Sequence, residues 1–153
     1  MKNTSVTNSI YILLAILAGV ALTTQIGINS QLRLSLNSFL SASLISLAVA
    51  TIVLIIAVVA TNQPFLNATN IGQIAWYEYL GGFLGAFYVT VVIAAAQKLG
   101  ATKIAVLIIA GQLVSALIYD NFGLLGFQLN PANLTRIIGA VLLIIGAYLV
   151  NLK

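Results

Sequence analysis

Five stretches of the chain run apolar for long enough to cross a bilayer, and polar residues cluster in the short gaps between them. A helix needs about 20 mostly apolar residues to traverse the hydrocarbon core, so the pattern predicts spans at roughly 10–28, 39–60, 76–96, 102–119 and 131–152. Runs such as TIVLIIAVVA (Thr51 to Ala60) do not alternate in polarity, as the strands of a transmembrane barrel must. The expected fold class is an all-α integral membrane protein of five transmembrane helices, a single domain over residues 1–153. Asn37, Asn70 and Asn130 stand at N-cap positions, and Pro131 fits the first helical position, where its missing N–H costs nothing. The segment FGLLGFQL (Phe122 to Leu129) is apolar enough to lie in the membrane interface. The first apolar run continues to Ile28, past the about 7–15 residues of a signal sequence and without a small-residue cleavage site, so a retained span is expected.

Polar residues inside these spans are expensive and therefore informative. Gln25, Asn29 and Arg33 recur at i, i+4 and i+8 and form one stripe on the first helix. For Arg33 the alternative is a helix end whose guanidinium snorkels to headgroups. On the fourth helix Gln112, Ser115 and Tyr119 share a stripe that leads to Asp120. The third opens WYEYLGGFLGAFY, with Gly82 and Gly85 four and seven residues after Glu78, and a GxxxG from Gly81 to Gly85. Small residues let helices approach, which turns Glu78 toward a packing face. Its alternative is a carboxylate wetted at headgroup depth among interfacial aromatics. On the fifth helix Gly139 and Gly146, like Ala140 and Ala147, stand seven apart and make one small-residue seam, either for a dimer interface or for packing within the monomer. Ser41, Ser43 and Ser46 on the second helix read as backbone-bonded packing residues.

Composition narrows the classes. The 153 residues are 61% hydrophobic and 5% charged, against about 25% charged in soluble domains. Six basic and two acidic residues give +4 without a basic run, which argues against nucleic-acid binding. With no cysteine and no histidine there is no disulfide, thiol, zinc or imidazole chemistry, and no catalytic set remains; an enzyme is not expected, nor a metal or cofactor. Five crossings place Lys2 and Arg136 on one side and Arg33, Lys98, Lys103 and Lys153 on the other. The excess favours a cytoplasmic loop around Lys98 and Lys103. The bias is small, as in a protein of dual topology. The N-x-[ST] tripeptides at Asn3, Asn67 and Asn133 carry little weight.

Several motifs together resemble the YdcZ-type branch of the drug/metabolite transporter superfamily, small five-helix inner-membrane proteins of bacteria. They are Q-x3-N-x2-LR (Gln25 to Arg33), GGFLGAFYV (Gly81 to Val89), LGA (Leu99 to Ala101), IIAGQLVSALIYDNFGLLG (Ile108 to Gly126) and RIIGAVLLIIG (Arg136 to Gly146). A weaker likeness is to the small multidrug resistance family, through AILAGVALTT (Ala15 to Thr24) and GAVLLIIGAYLVNL (Gly139 to Leu152). Gly19 stands where that family carries its membrane-embedded glutamate, so the glutamate mechanism does not transfer. Both resemblances imply an antiparallel dimer, of two identical chains or of two homologous ones, and an odd number of crossings suits it.

The function expected is a secondary transporter that moves a small organic solute by alternating access. Its substrate site would use Gln25, Asn29, Gln112 and Ser115, with Tyr88 and Tyr119 as apolar or cation-binding walls. Glu78 and Asp120 are the candidates for ion or proton coupling. The alternative is a non-transporting membrane subunit that needs a different partner chain.

Overall fold

A computed structural model describes residues 2–63, 72 and 74–152, with side chains from Ser9 onward. Asn67, Asn70 and Lys153, and the side chains of Lys2 and Asn3, lie outside the described residues. Five helices carry the chain: α1 (Lys2–Leu36), α2 (Phe39–Ala60), α3 (Leu80–Leu99), α4 (Ala101–Phe122) and α5 (Leu134–Asn151), and no strand occurs among the described residues. Each is long and apolar enough to cross a membrane, over Ser9–Leu36, Phe39–Ala60, Trp76–Leu99, Ala101–Phe122 and Leu134–Asn151. The chain divides into two compact units, Met1–Lys98 and Leu99–Lys153.

Helix ends differ from the sequence expectation in ways local chemistry explains. Ser38, not Asn37, caps α2, its hydroxyl accepting from the N–H of Ser41 at 3.1 Å. Asn37 instead adopts φ 51°, the left-handed conformation that stops α1 and that asparagine tolerates better than most residues. Asn133, not Asn130, caps α5, accepting from the N–H of Arg136 at 2.9 Å, so Pro131 precedes the helix instead of opening it. The first span runs beyond Ile28 to Leu36, and the fourth continues through Asp120 to Phe122 before Gly123 ends it at φ 59°.

In the first unit α1 packs along α2, and Ile26, Ala42, Val92, Ile93 and Ala96 are buried. Ser43 turns back to the carbonyl of Phe39, as a packing serine should. In the second unit α4 and α5 form an antiparallel hairpin around the turn Leu124–Gly126. Ala140 and Ala147 are buried there, whereas Gly139 is exposed and Gly146 half-buried. The glycines and alanines thus do not form one seam. Neighbouring positions on a helix are rotated by about 100°, and the alanines take the inward side.

Candidate functional site

The first unit gathers its polar side chains between α1 and α3. Asn29, only 6% exposed, donates from Nδ2 to the hydroxyl of Ser46 on α2 at 3.0 Å. Ser46 is therefore an interhelical acceptor and not, as its sequence context suggested, a backbone-bonded packing residue. Gln97 on α3 donates from Nε2 to the hydroxyl of Ser30 at 2.6 Å. Arg33 stands about one turn further along α1: its Nη1 donates to the carbonyls of Ala94 at 2.8 Å and Ile93 at 3.1 Å. The stripe Gln25, Asn29, Arg33 on α1 thus faces α3, and Arg33 turns to neighbouring backbone instead of reaching for headgroups.

Toward the middle of the span, Gln25, Asn29 and Tyr88 line a cleft with Ile26, Val92 and Ile93. Its volume is about 10 Å³, the room of a single water. The hydroxyl of Tyr88 is buried and has no hydrogen-bond partner among the described residues. An unpaired hydroxyl away from water costs about 1–3 kcal/mol, so the cleft is a place where a water or a solute group gains a bond. The side chain of Gln25 has no partner among the described residues either, and Asn29 keeps its Oδ1 free beside it. No charged side chain lines this cleft.

The second unit presents a different arrangement. Asp120, two residues before the end of α4, forms an ion pair with Arg136, two residues into α5. Both side chains are 27% exposed. Arg136 also donates to the carbonyl of Asn130 at 2.6 Å, the N–H of Asn130 donates to the carbonyl of Asp120 at 2.8 Å, and the N–H of Ala132 donates to Asn121 Oδ1 at 3.0 Å. Taken singly, each charge is misplaced: a carboxylate at a helix C-terminus and a guanidinium at an N-terminus both oppose the helix dipole. Pairing offsets both penalties, and the surrounding bonds fix the loop.

The remaining expected site residues of this unit, Gln112, Ser115 and Tyr119, do not line the groove between α4 and α5. Gln112 and Ser115 are exposed on α4, and Gln112 has no hydrogen-bond partner among the described residues. Tyr119 stacks on Phe127 of the following loop, ring centres 6.2 Å apart and 7° from parallel. The groove between α4 and α5, about 420 Å³, is walled by Val114, Leu117, Phe122, Ile137 and Val141, and offers little to orient a polar solute.

Glu78 also departs from expectation. It sits in a 3₁₀ turn, Trp76–Tyr79, ahead of α3 and is exposed. The α-helical register that would align it with Gly82 and Gly85 begins only at Leu80. Sequence reasoning missed Ser30, Ser46 and Gln97 as partners of the α1 stripe. Gln97 stands next to Lys98, one residue beyond the expected span 76–96; the structure carries that span on to Leu99 and so takes Gln97 inside it.

Residues 10–149 match the family described as "Putative inner membrane exporter, YdcZ". The chain is also 30% identical over 136 residues to Inner membrane protein YdcZ of Escherichia coli (strain K12), covering 88% of this chain and 90% of that one. No solved structure matches.

Proposed function

Since the chain belongs to the YdcZ family and is a multi-pass inner-membrane protein, we propose that it is a secondary transporter that moves a small organic solute by alternating access as a dimer. The observation that carries this reading is the neutral polar cleft of Gln25, Asn29 and Tyr88. The span Trp76–Leu99 has its centre at Phe87 and Tyr88, so the unpartnered hydroxyl sits at mid-membrane depth. Substrate sites of secondary transporters lie near the midplane. A polar cleft there adds little to stability, because interhelical hydrogen bonds in membranes average only ~0.6 kcal/mol. Its use is in offering donors and acceptors to a passing solute.

Of the two candidate coupling carboxylates, Asp120 is engaged by Arg136, while Glu78 is exposed at the start of α3. Glu78 is therefore the stronger candidate if transport is driven by protons.

The test is flux. Purified protein in liposomes is given a panel of labelled solutes, with Asn29→Leu as the comparison. The expected outcome is uptake or efflux by the native protein and a loss of at least tenfold in Asn29→Leu at unchanged thermal stability. Leucine keeps the branching of the side chain, puts two methyl groups in place of the amide oxygen and nitrogen, and forfeits one hydrogen bond to Ser46. Flux that appears only when a second, homologous chain is supplied would assign the protein to heteromeric assemblies. Full flux in Asn29→Leu would move the site elsewhere.

A further inference from the structure

We propose that Arg33, one helical turn beyond Asn29 and bonded to the carbonyl of the lining residue Ile93, forms an oxyanion site at the edge of this cleft, selecting solutes or lipids that carry a carboxylate or phosphate. The inference rests on the reading of the cleft as a ligand site and adds the class of ligand. Its starting point is charge balance. The chain has two acidic residues. Asp120 is paired with Arg136 inside the second unit. Glu78 precedes α3 at the end opposite Ile93, and the 15 residues between them amount to about 22 Å along a helix. Arg33 consequently has no carboxylate within reach in its own unit among the described residues.

Depth makes that imbalance costly. The carbonyls that Arg33 holds, Ile93 and Ala94, lie five and six residues beyond the centre of their span, or about 8–9 Å along its axis. The hydrocarbon core extends about 15 Å from its midplane. Arg33 itself stands in the last turn of α1, about ten residues beyond the middle of its own span, so its backbone lies at the edge of the core and its guanidinium turns inward from there, where ionised side chains mark ligand and ion pathways. Two neutral carbonyls satisfy hydrogen bonds without cancelling a charge, and the dipole at the end of α3 supplies only about half a unit. Both bonds come from Nη1, so Nη2 and Nε, on the other edges of the fork, remain available. That edge is the one guanidinium presents to a carboxylate or phosphate in a two-point contact.

The neighbours fit the same ligand. One turn from Arg33 on α1 stands Asn29, then Gln25, with the Tyr88 hydroxyl across from them. These neutral groups would hold the polar body of a ligand whose anionic end meets Arg33. On the other side, Gln97 is bonded to Ser30 and closes the seam. The field of an unneutralised guanidinium repels cations. Tyr88 is accordingly a hydrogen-bonding wall for an anion and not part of a cation-binding one.

The test uses the full chain in phosphatidylcholine vesicles, with benzoate and phenyl phosphate as soluble oxyanions, benzamide as a neutral counterpart and benzyltrimethylammonium as a cation. Thermal midpoint and the side-chain Nε–H resonance of Arg33 are followed. Either oxyanion is expected to raise the midpoint and shift the resonance, while benzamide and the cation do neither. Arg33→Gln should weaken the response at least tenfold, and Arg33→Lys, which keeps charge without the fork, should be intermediate. If Arg33→Gln does not fold, Arg33→Lys against the native protein carries the comparison. A second series replaces part of the phosphatidylcholine with phosphatidylglycerol. Stabilisation that tracks this lipid, depends on Arg33 and ignores the soluble anions identifies a lipid headgroup as the ligand. The proposal is overturned if neither oxyanions nor anionic lipid act through Arg33, or if the cation stabilises as well as benzoate. Oxyanion binding without flux of any solute would instead remove the transporter reading and leave the anion site standing.

Discussion

Two arginines lie near helix ends in this protein, and their surroundings differ in one respect. Arg136 meets a carboxylate, Asp120, and has its remaining reach taken by the carbonyl of Asn130. Among the described residues Arg33 meets only the carbonyls of Ile93 and Ala94. The first arrangement is closed: charge cancels charge, and the loop between α4 and α5 is tied to both. The second is satisfied in hydrogen bonds and open in charge. A closed ion pair is what a structural clasp requires, because any ligand competing for it must first break it. An open guanidinium beside a neutral cleft is what recognition requires. The two units thus differ: one holds a hairpin together by an ion pair, and the other carries the arginine on which the proposed site rests.

Breaking the clasp is expected to have the largest effect on stability. Asp120→Asn leaves Arg136 without its counter-charge. Fully buried pairs broken in this way cost about 3–5 kcal/mol and exposed ones about 0–1, so a pair with both members 27% exposed should lose about 2 kcal/mol. The reversed pair, Asp120→Arg with Arg136→Asp, restores opposite charges and places each with its helix dipole. It should recover most of the loss despite forfeiting the bond to Asn130. Thermal unfolding of the single and double variants in one detergent checks this. A double variant as unstable as the single one would show that the loop bonds, not the ion pair, hold the hairpin. Flux should track stability in this series, in contrast to the Arg33 variants, where binding falls before stability does.

The two arginines also differ in how legible they were in the sequence. The stripe Gln25, Asn29, Arg33 came from helical periodicity alone, and it does share one face. Its partners did not, because Arg33 reaches residues 60 and 61 positions away and no local spacing encodes which helix will lie opposite. The clasp was nearer to hand. Asp120 and Arg136 fall on the same side of the membrane, each two residues inside its helix end, and antiparallel helices bring such positions together. The seam on α5 is subtler than its period suggests. A period of seven identifies a face, but Gly139 and Ala140 are adjacent residues, and only packing decides which of two adjacent faces turns inward.

That correction gives a second test, smaller in effect and aimed at the outer side of the hairpin. Gly139 is exposed, and a Cβ added there meets nothing within 4 Å. In a monomer Gly139→Leu should therefore change thermal stability by no more than about 0.5 kcal/mol, as for surface substitutions generally. If two copies approach at this glycine, the same change should weaken their association at least tenfold. Crosslinking and mass in detergent as a function of protein concentration separate the outcomes. Unaltered association would take Gly139 out of the interface and leave Gly146, half-buried beside Val106 and Ile109, as a packing position within the hairpin.

The smallest effect on stability is expected at Gln112. A primary amide at membrane depth costs about 1–3 kcal/mol when unpaired, whereas a bond to another helix returns only ~0.6 kcal/mol on average. Asn29, a residue of the same chemistry in the first unit, is buried and bonded to Ser46; Gln112 is exposed and unbonded among the described residues. On these magnitudes nothing in the hairpin is held by Gln112, and leucine would suit an exposed helical position in lipid better. Gln112→Leu should leave the thermal midpoint unchanged or slightly higher. Flux measured beside the midpoint then distinguishes the two amides. If Gln112 contributes to solute recognition, its replacement lowers flux at constant stability, with Ser115→Ala, on the same stripe, lowering it by less. If flux and stability are both untouched, recognition is confined to the cleft of Gln25, Asn29 and Tyr88. A fall in stability comparable to that of Asp120→Asn would show that Gln112 is bonded in the assembled protein, and would make it a structural amide.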